Sequence, residues 1–451
     1  MRVSWTLPIV LTGTVVSAID LDVYDEQSLK DAAGTASYNA MTFYKANQTG
    51  EIPGKLPKAW WQGALLFDTL IRYGHFADDA SNNAAISQGM YHQAGDHSDY
   101  MPANWSSYIA NDDQAFWGLA AMTAAELDFP ADSKQPSWVD LAQNVFDKQV
   151  NRWDEDSCKG GMRWQISPYQ AGYAMKTAIT NGALFQLSAR LARYTGNSTY
   201  SKWAEKVWDW SKETLMDEKI WEIADGVSVT DHCKGLSHMQ WTPNYGLYLG
   251  GAAYMYNVTD GKKEWKKSID GLLNTTFETF FPKQYNGTMT EVICEPIDNC
   301  AQNQEIFKAI LSSNLASTAL VAPYTAEGIL PKLQDSATAA AKHCTEGKDK
   351  SFCGYRWYKS NGDHKLNMAE QISATGLFSA NLVAFKDQTL IYTSKTSGSR
   401  TSGNDNSTGA SASASASASA TGDANGAGTM GVSGWGIAGV AMVVSLAEMI
   451  V

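Results

Sequence analysis

The stretch "YIANDDQAFWGLAAMTAAELDF", residues 108–129, decides the fold class. From Gln114 its apolar residues recur at helical spacing, and no charge appears until Glu126. Gly118 and a run of alanines leave it little side-chain bulk. A helix this small and this poor in charge has no face suited to water, so it reads as surrounded by protein. Five segments share its character: "WWQGALLFDTLIRYG" (60–74), "AITNGALFQLSARLARYTG" (178–196), "WTPNYGLYLGGAAYMYN" (241–257), "EIFKAILSSNLASTALVAP" (305–323) and "SATGLFSANLVAF" (373–385). They recur every roughly 50 to 70 residues, a weak internal repeat. Between them lie amphipathic segments with charge on one face, such as "DEQSLKDAAGTASYNAMTFY", "SWVDLAQNVFDKQVNRW", "STYSKWAEKVWDWSKETL" and "EWKKSIDGLLNTTFETFF". The pattern predicts an all-α protein, an (α/α)6 barrel of six inner and six outer helices, with an open helical solenoid as the alternative. Polar groups gathered at the N-terminal ends of the inner segments favour the closed form.

Within the opening stretch, Asp112 and Asp113 stand side by side where the helix begins. One acidic residue would suffice as a cap. Asn111 is a good N-cap and Gln114 follows three residues on, so a capping box is available. Asp in the first turn also suits the helix dipole. The other reading is chemical. Glycosidases use two carboxylates, about 5 Å apart when configuration is retained. Successive helical residues point roughly 100° apart. If one of the two is not yet helical, both can line one pocket. The carboxylate nearer the amides then stays ionised as nucleophile, and its neighbour keeps a proton as general acid.

Other inner segments open with groups suited to a sugar: Trp61 and Gln62, Asn181, Asn244 and Tyr245. Lys308 in "EIFK" joins this candidate binding set. The chain holds 16 Trp and 20 Tyr, more than a core of this size needs, and Trp61, Trp164, Trp241 and Trp357 lie at segment starts or loops beside polar residues. These four are the candidate sugar platforms. A net charge of -12 and the lack of a Gly-rich phosphate loop or basic helix argue against nucleic acid. The histidines are scattered, and pairs such as His92 with His97 or His232 with His238 read as surface or core residues, so neither metal nor cofactor is expected.

The ends point to the secretory route. Residues 1–18 have an Arg, an apolar run and Val16-Ser17-Ala18, a cleavable signal with maturation near Ile19. Residues 19–392 form the helical body. Residues 393–427 are rich in Ser, Thr, Ala and Gly and predict a disordered stalk. Residues 428–451 include "WGIAGVAMVVSLAEMIV", an apolar tail. Small residues, spacer and tail together read as a GPI-attachment signal, with Asn425 the best attachment site and Gly422 or Asp423 the alternatives. A tail-anchored membrane helix is the competing reading. Cys158, Cys233, Cys294, Cys300, Cys344 and Cys353 make an even set that predicts three disulfides, the pairing being open from sequence alone. Cys294 with Cys300 and Cys344 with Cys353 would close short loops, leaving Cys158 for Cys233. Glycosylation sequons begin at Asn47, Asn104, Asn197, Asn257, Asn274, Asn286 and Asn406, each predicting a surface position.

The set "WWQGALLFDTLIRYG", "YIANDDQAFWGLAAMTAAEL", "CKGGMRWQI", "ITNGALFQLSARLARYTGN" and "CGYRW" resembles glycoside hydrolase family 76, in particular its fungal GPI-anchored cell-wall members, the mannan endo-1,6-α-mannosidases. The resemblance covers about residues 22–390. It implies an (α/α)6 barrel and retaining chemistry on α-1,6-mannose linkages, with Asp112 as nucleophile and Asp113 as acid/base. The substrate would be α-1,6-linked mannose oligosaccharides or a GPI glycan. It further implies transfer of GPI-linked mannoproteins onto wall β-glucan, by a monomer at the outer face of the plasma membrane or in the wall. A GPI-anchored protein of the same shape that binds mannan without turning it over is the alternative. Two positions depart from the family pattern: Asn303 stands where an acidic residue is expected, and Thr242-Pro243 precedes Asn244.

Overall fold

A computed structural model of the chain describes residues 19–396, apart from 57–58, 106, 360–362, 364 and 387–390. The predicted signal, most of the stalk with Asn406, Asn425 and the apolar tail lie outside the described residues.

The helices in chain order are α1 (Glu26–Phe43), α2 (Trp60–Ala77), α3 (Asn83–Gln93), α4 (Asn111–Glu126), α5 (Trp138–Val150), α6 (Ala178–Thr195) and α7 (Ser198–Thr214). Then follow α8 (Thr242–Val258), α9 (Lys263–Phe280), the single turn α10 (Gln302–Glu305), α11 (Phe307–Val321), α12 (Ala326–Lys342) and α13 (Met368–Asn381). Two kinds of burial separate them. Every residue of α13 is buried, and every residue of α4 but Asp113. By contrast α5 buries one stripe, Trp138, Leu141, Ala142, Val145, Phe146 and Gln149, at the spacing of a one-sided helix. Its start is fixed by Ser137 and Asp140, which cap each other's backbone N–H groups.

The largely buried helices α2, α4, α6, α8, α11 and α13 pack in that order, and α13 returns to α2. The ring is therefore closed, and the solenoid alternative falls. Helices α1, α3, α5, α7, α9 and α12 pack outside it. Small residues let the inner helices approach: a methyl group at Gly251 of α8 would lie 2.4 Å from the Phe185 ring on α6.

The connections are unequal. Those leading out of inner helices are short, such as 196–197, 259–262 and 322–325. Those leading into inner helices are long: 44–59, 94–110, 151–177, 215–241, 281–306 and 343–367. One end of the barrel thus carries the long loops and the N-termini of all six inner helices. Cys158–Cys233, Cys294–Cys300 and Cys344–Cys353 are bonded, and all six cysteines lie in these loops. Short strands β1 (Met175–Thr177), β4 (Gly226–Ser228) and β5 (Leu236–Ser237) knit 151–177 to 215–241, and β2 (Met216–Asp217) pairs with β3 (Glu222–Ile223). At two or three residues each, they are too short to show alternation in sequence.

The other end is plugged. The Arg190 guanidinium donates to Glu126 at 2.7 Å and to Thr123 at 2.8 Å, and Tyr254 donates to Glu126 at 2.9 Å. Arg72 joins Asp68, Thr123 and Ser317 at 2.8, 3.0 and 3.0 Å. These groups come from α2, α4, α6, α8 and α11, so the axis is closed below by a buried polar network. Asn47, Asn104, Asn197, Asn257, Asn274 and Asn286 are exposed. Among the described residues no single helix is long and apolar enough to cross a membrane.

Candidate active site

The open end centres on the start of α4. Its N-cap is Ala110, in extended conformation, so Asn111, Asp112 and Asp113 occupy the first helical turn. The expected Asn111–Gln114 capping box does not form. Asn111 donates to Arg163 O at 2.9 Å, and Gln114 donates to Asp99 O at 2.8 Å. The cap is Asp113 itself, whose Oδ2 accepts from Ala110 N–H at 2.9 Å. Nor is either aspartate outside the helix; both reach the mouth because no turn precedes them.

Asp112 is the deeper of the two. Its Oδ2 accepts from the Trp164 indole N–H at 3.1 Å, and its Oδ1 from the Asp113 backbone N–H at 3.1 Å. Trp164 is held in turn: its carbonyl accepts from Asn111 N–H at 2.9 Å, and its own N–H donates to Met175 O at 2.7 Å. Its ring lies against Gly172, where an added Cβ would meet it at 2.3 Å, and Gly172 has φ +90°. Burial pushes the Asp112 carboxyl well up, Asp113's charge adds to this, and the N–H donors oppose it. Burial also pushes Asp113 up, to about 7, against the hydrogen bond from Ala110. Two carboxyls so placed cannot both be ionised at neutral pH, and the pair holds a proton ready for transfer.

The other candidates divide. Trp61 is partly exposed at the mouth and rests on Phe116, ring centroids 5.6 Å apart. Gln62 donates to Asn303 at 3.0 Å, so the residue that departs from the expected acidic type receives a neutral partner. Asn244 donates to Asp225 Oδ1 at 3.1 Å.

Five candidates are turned away from the mouth. Asn181 spends its amide on backbone, accepting from Met162 N–H at 2.8 Å and donating to Met162 O and Thr177 O at 3.1 and 2.9 Å. Tyr245 is buried against Phe280; its hydroxyl donates to Gln240 and accepts from Ile223 N–H at 3.2 Å. Lys308 is buried, pairing with Glu295 at 2.8 Å and donating to Tyr355 O. Trp357 is 1 % exposed and lies beneath the Lys308 ammonium, 3.6 Å from its centroid, so it offers no face to a sugar. Trp241 is likewise buried, against Phe307. These five build the wall of the mouth rather than its surface. The Thr242-Pro243 pair has a structural reason too: Thr242 donates its N–H and hydroxyl to buried Glu291, and Pro243 opens α8.

Asp225 is the residue that sequence reasoning missed. It lies between β3 and β4, accepts from Asn244, and its carboxyl is pushed up by burial. Its carbonyl accepts from Ala178 N–H at 2.7 Å, the first residue of α6. A lone aspartate in "EIADGVSV" gives no periodic or motif signal; the fold alone brings a third carboxyl to the mouth.

The model of glycosyl hydrolase family 76 matches residues 28–395. The chain belongs to glycosyl hydrolase family 76. It is a glycosidase with the barrel fold of that family. Among family relatives, mannan endo-1,6-alpha-mannosidase DCW1 of Saccharomyces cerevisiae is 40% identical over 378 residues, 83% of either chain. Mannan endo-1,6-alpha-mannosidase DFG5 of the same yeast is 35% identical over 363 residues, 79% of this chain and 78% of its own. The crystal structure of Dfg5 from Chaetomium thermophilum, in complex with glucosamine, superposes with a TM-score of 0.79 at 36% identity, covering 83% of this chain and 95% of that one. A family 76 α-1,6-mannanase from Salegentibacter, inactivated by replacing two consecutive aspartates and bound to α-1,6-mannotetraose, shares the fold at 16% identity, with a TM-score of 0.63 over 78% of this chain and 98% of its own.

Proposed function

We propose that the protein is a retaining, endo-acting glycosidase or transglycosidase of α-1,6-linked mannose chains, serving fungal cell-wall biogenesis. The observation that carries this reading is the Asp112–Asp113 pair at the start of α4, with Asp112 buried and held by Trp164 and Asp113 partly exposed. The substrates named for the relatives above supply the sugar class.

The division of labour follows from the contacts. Asp112 has two N–H donors and lies at the positive end of α4, which oppose the upward push of burial and of its neighbour's charge and suit it to attack the anomeric carbon while Asp113 holds the pair's proton. Asp113 faces the mouth and keeps its proton to about pH 7. It protonates the glycosidic oxygen as the C1–O bond breaks and a C1–carboxylate ester forms on Asp112. Asp113, now ionised, takes a proton from water or a sugar hydroxyl, whose oxygen displaces Asp112 and restores the original configuration. Trp61 offers an apolar face to a sugar ring, and Gln62 and Asp225 offer polar groups to its hydroxyls.

The signal, stalk and apolar tail read from sequence support a GPI-anchored protein at the outer face of the plasma membrane, with transfer to the wall. A GPI glycan as donor and β-glucan as acceptor fit that location.

Substitution with azide rescue tests the chemistry. Asp112→Asn should lose activity on every mannoside, however good its leaving group. Asp113→Asn should fail on natural oligomers yet form the intermediate from an activated aryl mannoside. Azide should then release a product of retained configuration from Asp113→Asn and an inverted one from Asp112→Asn. Normal turnover of natural oligomers by both variants would reduce the pair to a cap and end this reading.

A further inference from the structure

We propose that Tyr108 and Tyr169 form an outer sugar subsite on the rim of the cleft, receiving a mannose unit of the chain beyond those at the aspartates. The inference rests on the mannan reading above. Tyr169 is 95% exposed and Tyr108 is 69% exposed, yet both stand in hydrogen-bonded turns. Tyr108 lies four residues before Asp112, in a turn where its N–H donates to Trp105 O at 2.8 Å. Tyr169 follows Pro168, which restricts the turn, and Gln170 N–H donates to Ser167 O at 3.1 Å. The Gln170 side chain donates to Ser107 O at 2.9 Å. That bond joins the immediate neighbours of both tyrosines, so their rings stand on adjoining loops.

The loop carrying Tyr169 is fastened to the reacting pair. Trp164, five residues before Tyr169, donates to Asp112, and Ala110 bridges to Gln165. The loop's last aromatic, Tyr173, is covered by the Arg163 guanidinium at 4.6 Å. Tyr169, between them, is turned to water. Holding a large apolar ring out on a fixed loop gives the fold no burial, but it gives a pyranose a flat face for its C–H groups and a hydroxyl to bond. Attachment to the reacting pair selects the occupant: of the loops that carry the two rings, one runs into Asp112 and the other carries its partner Trp164. A subsite built from two such rings adds affinity only for oligomers long enough to reach it.

The test measures binding by calorimetry to the full-length protein in the Asp112→Asn background, with α-1,6-mannobiose and α-1,6-mannohexaose as probes. Tyr169→Ala and Tyr108→Ala should each weaken hexaose binding about fivefold to tenfold more than biose binding. Tyr169→Phe, which keeps the ring, should restore most of the loss. At such exposure the substitutions do not threaten folding. If the parent binds hexaose and the alanine variants weaken both probes equally, or neither, the subsite is refuted and the mannan reading stands. If the parent binds neither probe, the mannan reading fails and takes the subsite with it. A dimer that dissociates on Tyr169→Ala in sedimentation would assign the patch to a second copy and overturn the subsite.

Discussion

Asp113→Asn should stabilise the folded chain at neutral pH while it disables the reaction. In the unfolded chain an aspartate loses its proton near 3.8, whereas the fold keeps it on Asp113 to about 7. Between these values the folded chain binds a proton that the unfolded chain has released, so stability falls as pH rises through the window. Each pH unit of that window costs about 1.4 kcal/mol, and roughly three units set a ceiling of about 4 kcal/mol. Asp113 is partly open to solvent, which screens the penalty, so about 1–3 kcal/mol is expected at pH 8. Asparagine carries no charge to bury, and its Oδ1 can still accept from Ala110 N–H, so the cap survives. Urea titrations of wild type and variant at pH 4, 6 and 8 give the comparison. The variant should match wild type at pH 4 and gain steadily above it. In the wild type, kcat/KM should fall above about pH 7 as the acid loses its proton. A variant no more stable than wild type at pH 8, or a gap that does not close on acidification, would refute the claim that this carboxyl is held protonated.

The remaining predictions concern the scaffold and the ends. Glu126→Ala leaves the buried Arg190 guanidinium without its carboxylate, and chemical denaturation should show a loss of about 3–5 kcal/mol. None of the six cysteines should be alkylated in the native protein before reduction, as mass spectrometry can check. Cys158→Ser together with Cys233→Ser opens a crosslink spanning 75 residues and should cost about 4 kcal/mol, with earliest proteolysis in 151–177. If the tail is a GPI signal, phosphatidylinositol-specific phospholipase should release the protein from membranes, and no peptide containing Trp435 should be found in the released form.

Much of the architecture is legible in the chain itself. A helix buried on all sides must be poor in charge and small in side chain, and the six inner segments announce themselves that way, as do the outer helices with a clear apolar stripe. Two outer helices do not. Helix α3 is short and mostly polar, and α12 carries Pro331 in its interior, which reads as a break. The Asp112–Asp113 pair is legible because two adjacent carboxylates are costly unless chemistry or capping uses them. In the fold the pair also caps, with Asp113 bonding Ala110, so the bland reading and the chemical one are both present in one residue.

What the tertiary structure alone decides is direction. Residue type placed Lys308, Trp357, Asn181 and Tyr245 near the mouth, but not which way they turn. Lys308 faces Glu295 and Tyr355, residues 13 and 47 positions away in the chain, and takes Trp357 with it into the wall. Asp225 reaches the mouth only because loops 151–177 and 215–241 are knitted together by β1, β4 and a disulfide. Closure itself depends on α13 meeting α2 across some 300 residues of chain. Periodicity and composition are set by local solvent exposure and so survive in a linear sequence. Side-chain direction is set by which distant partner satisfies a buried charge or hydrogen bond, and that partner is chosen only when the ring closes.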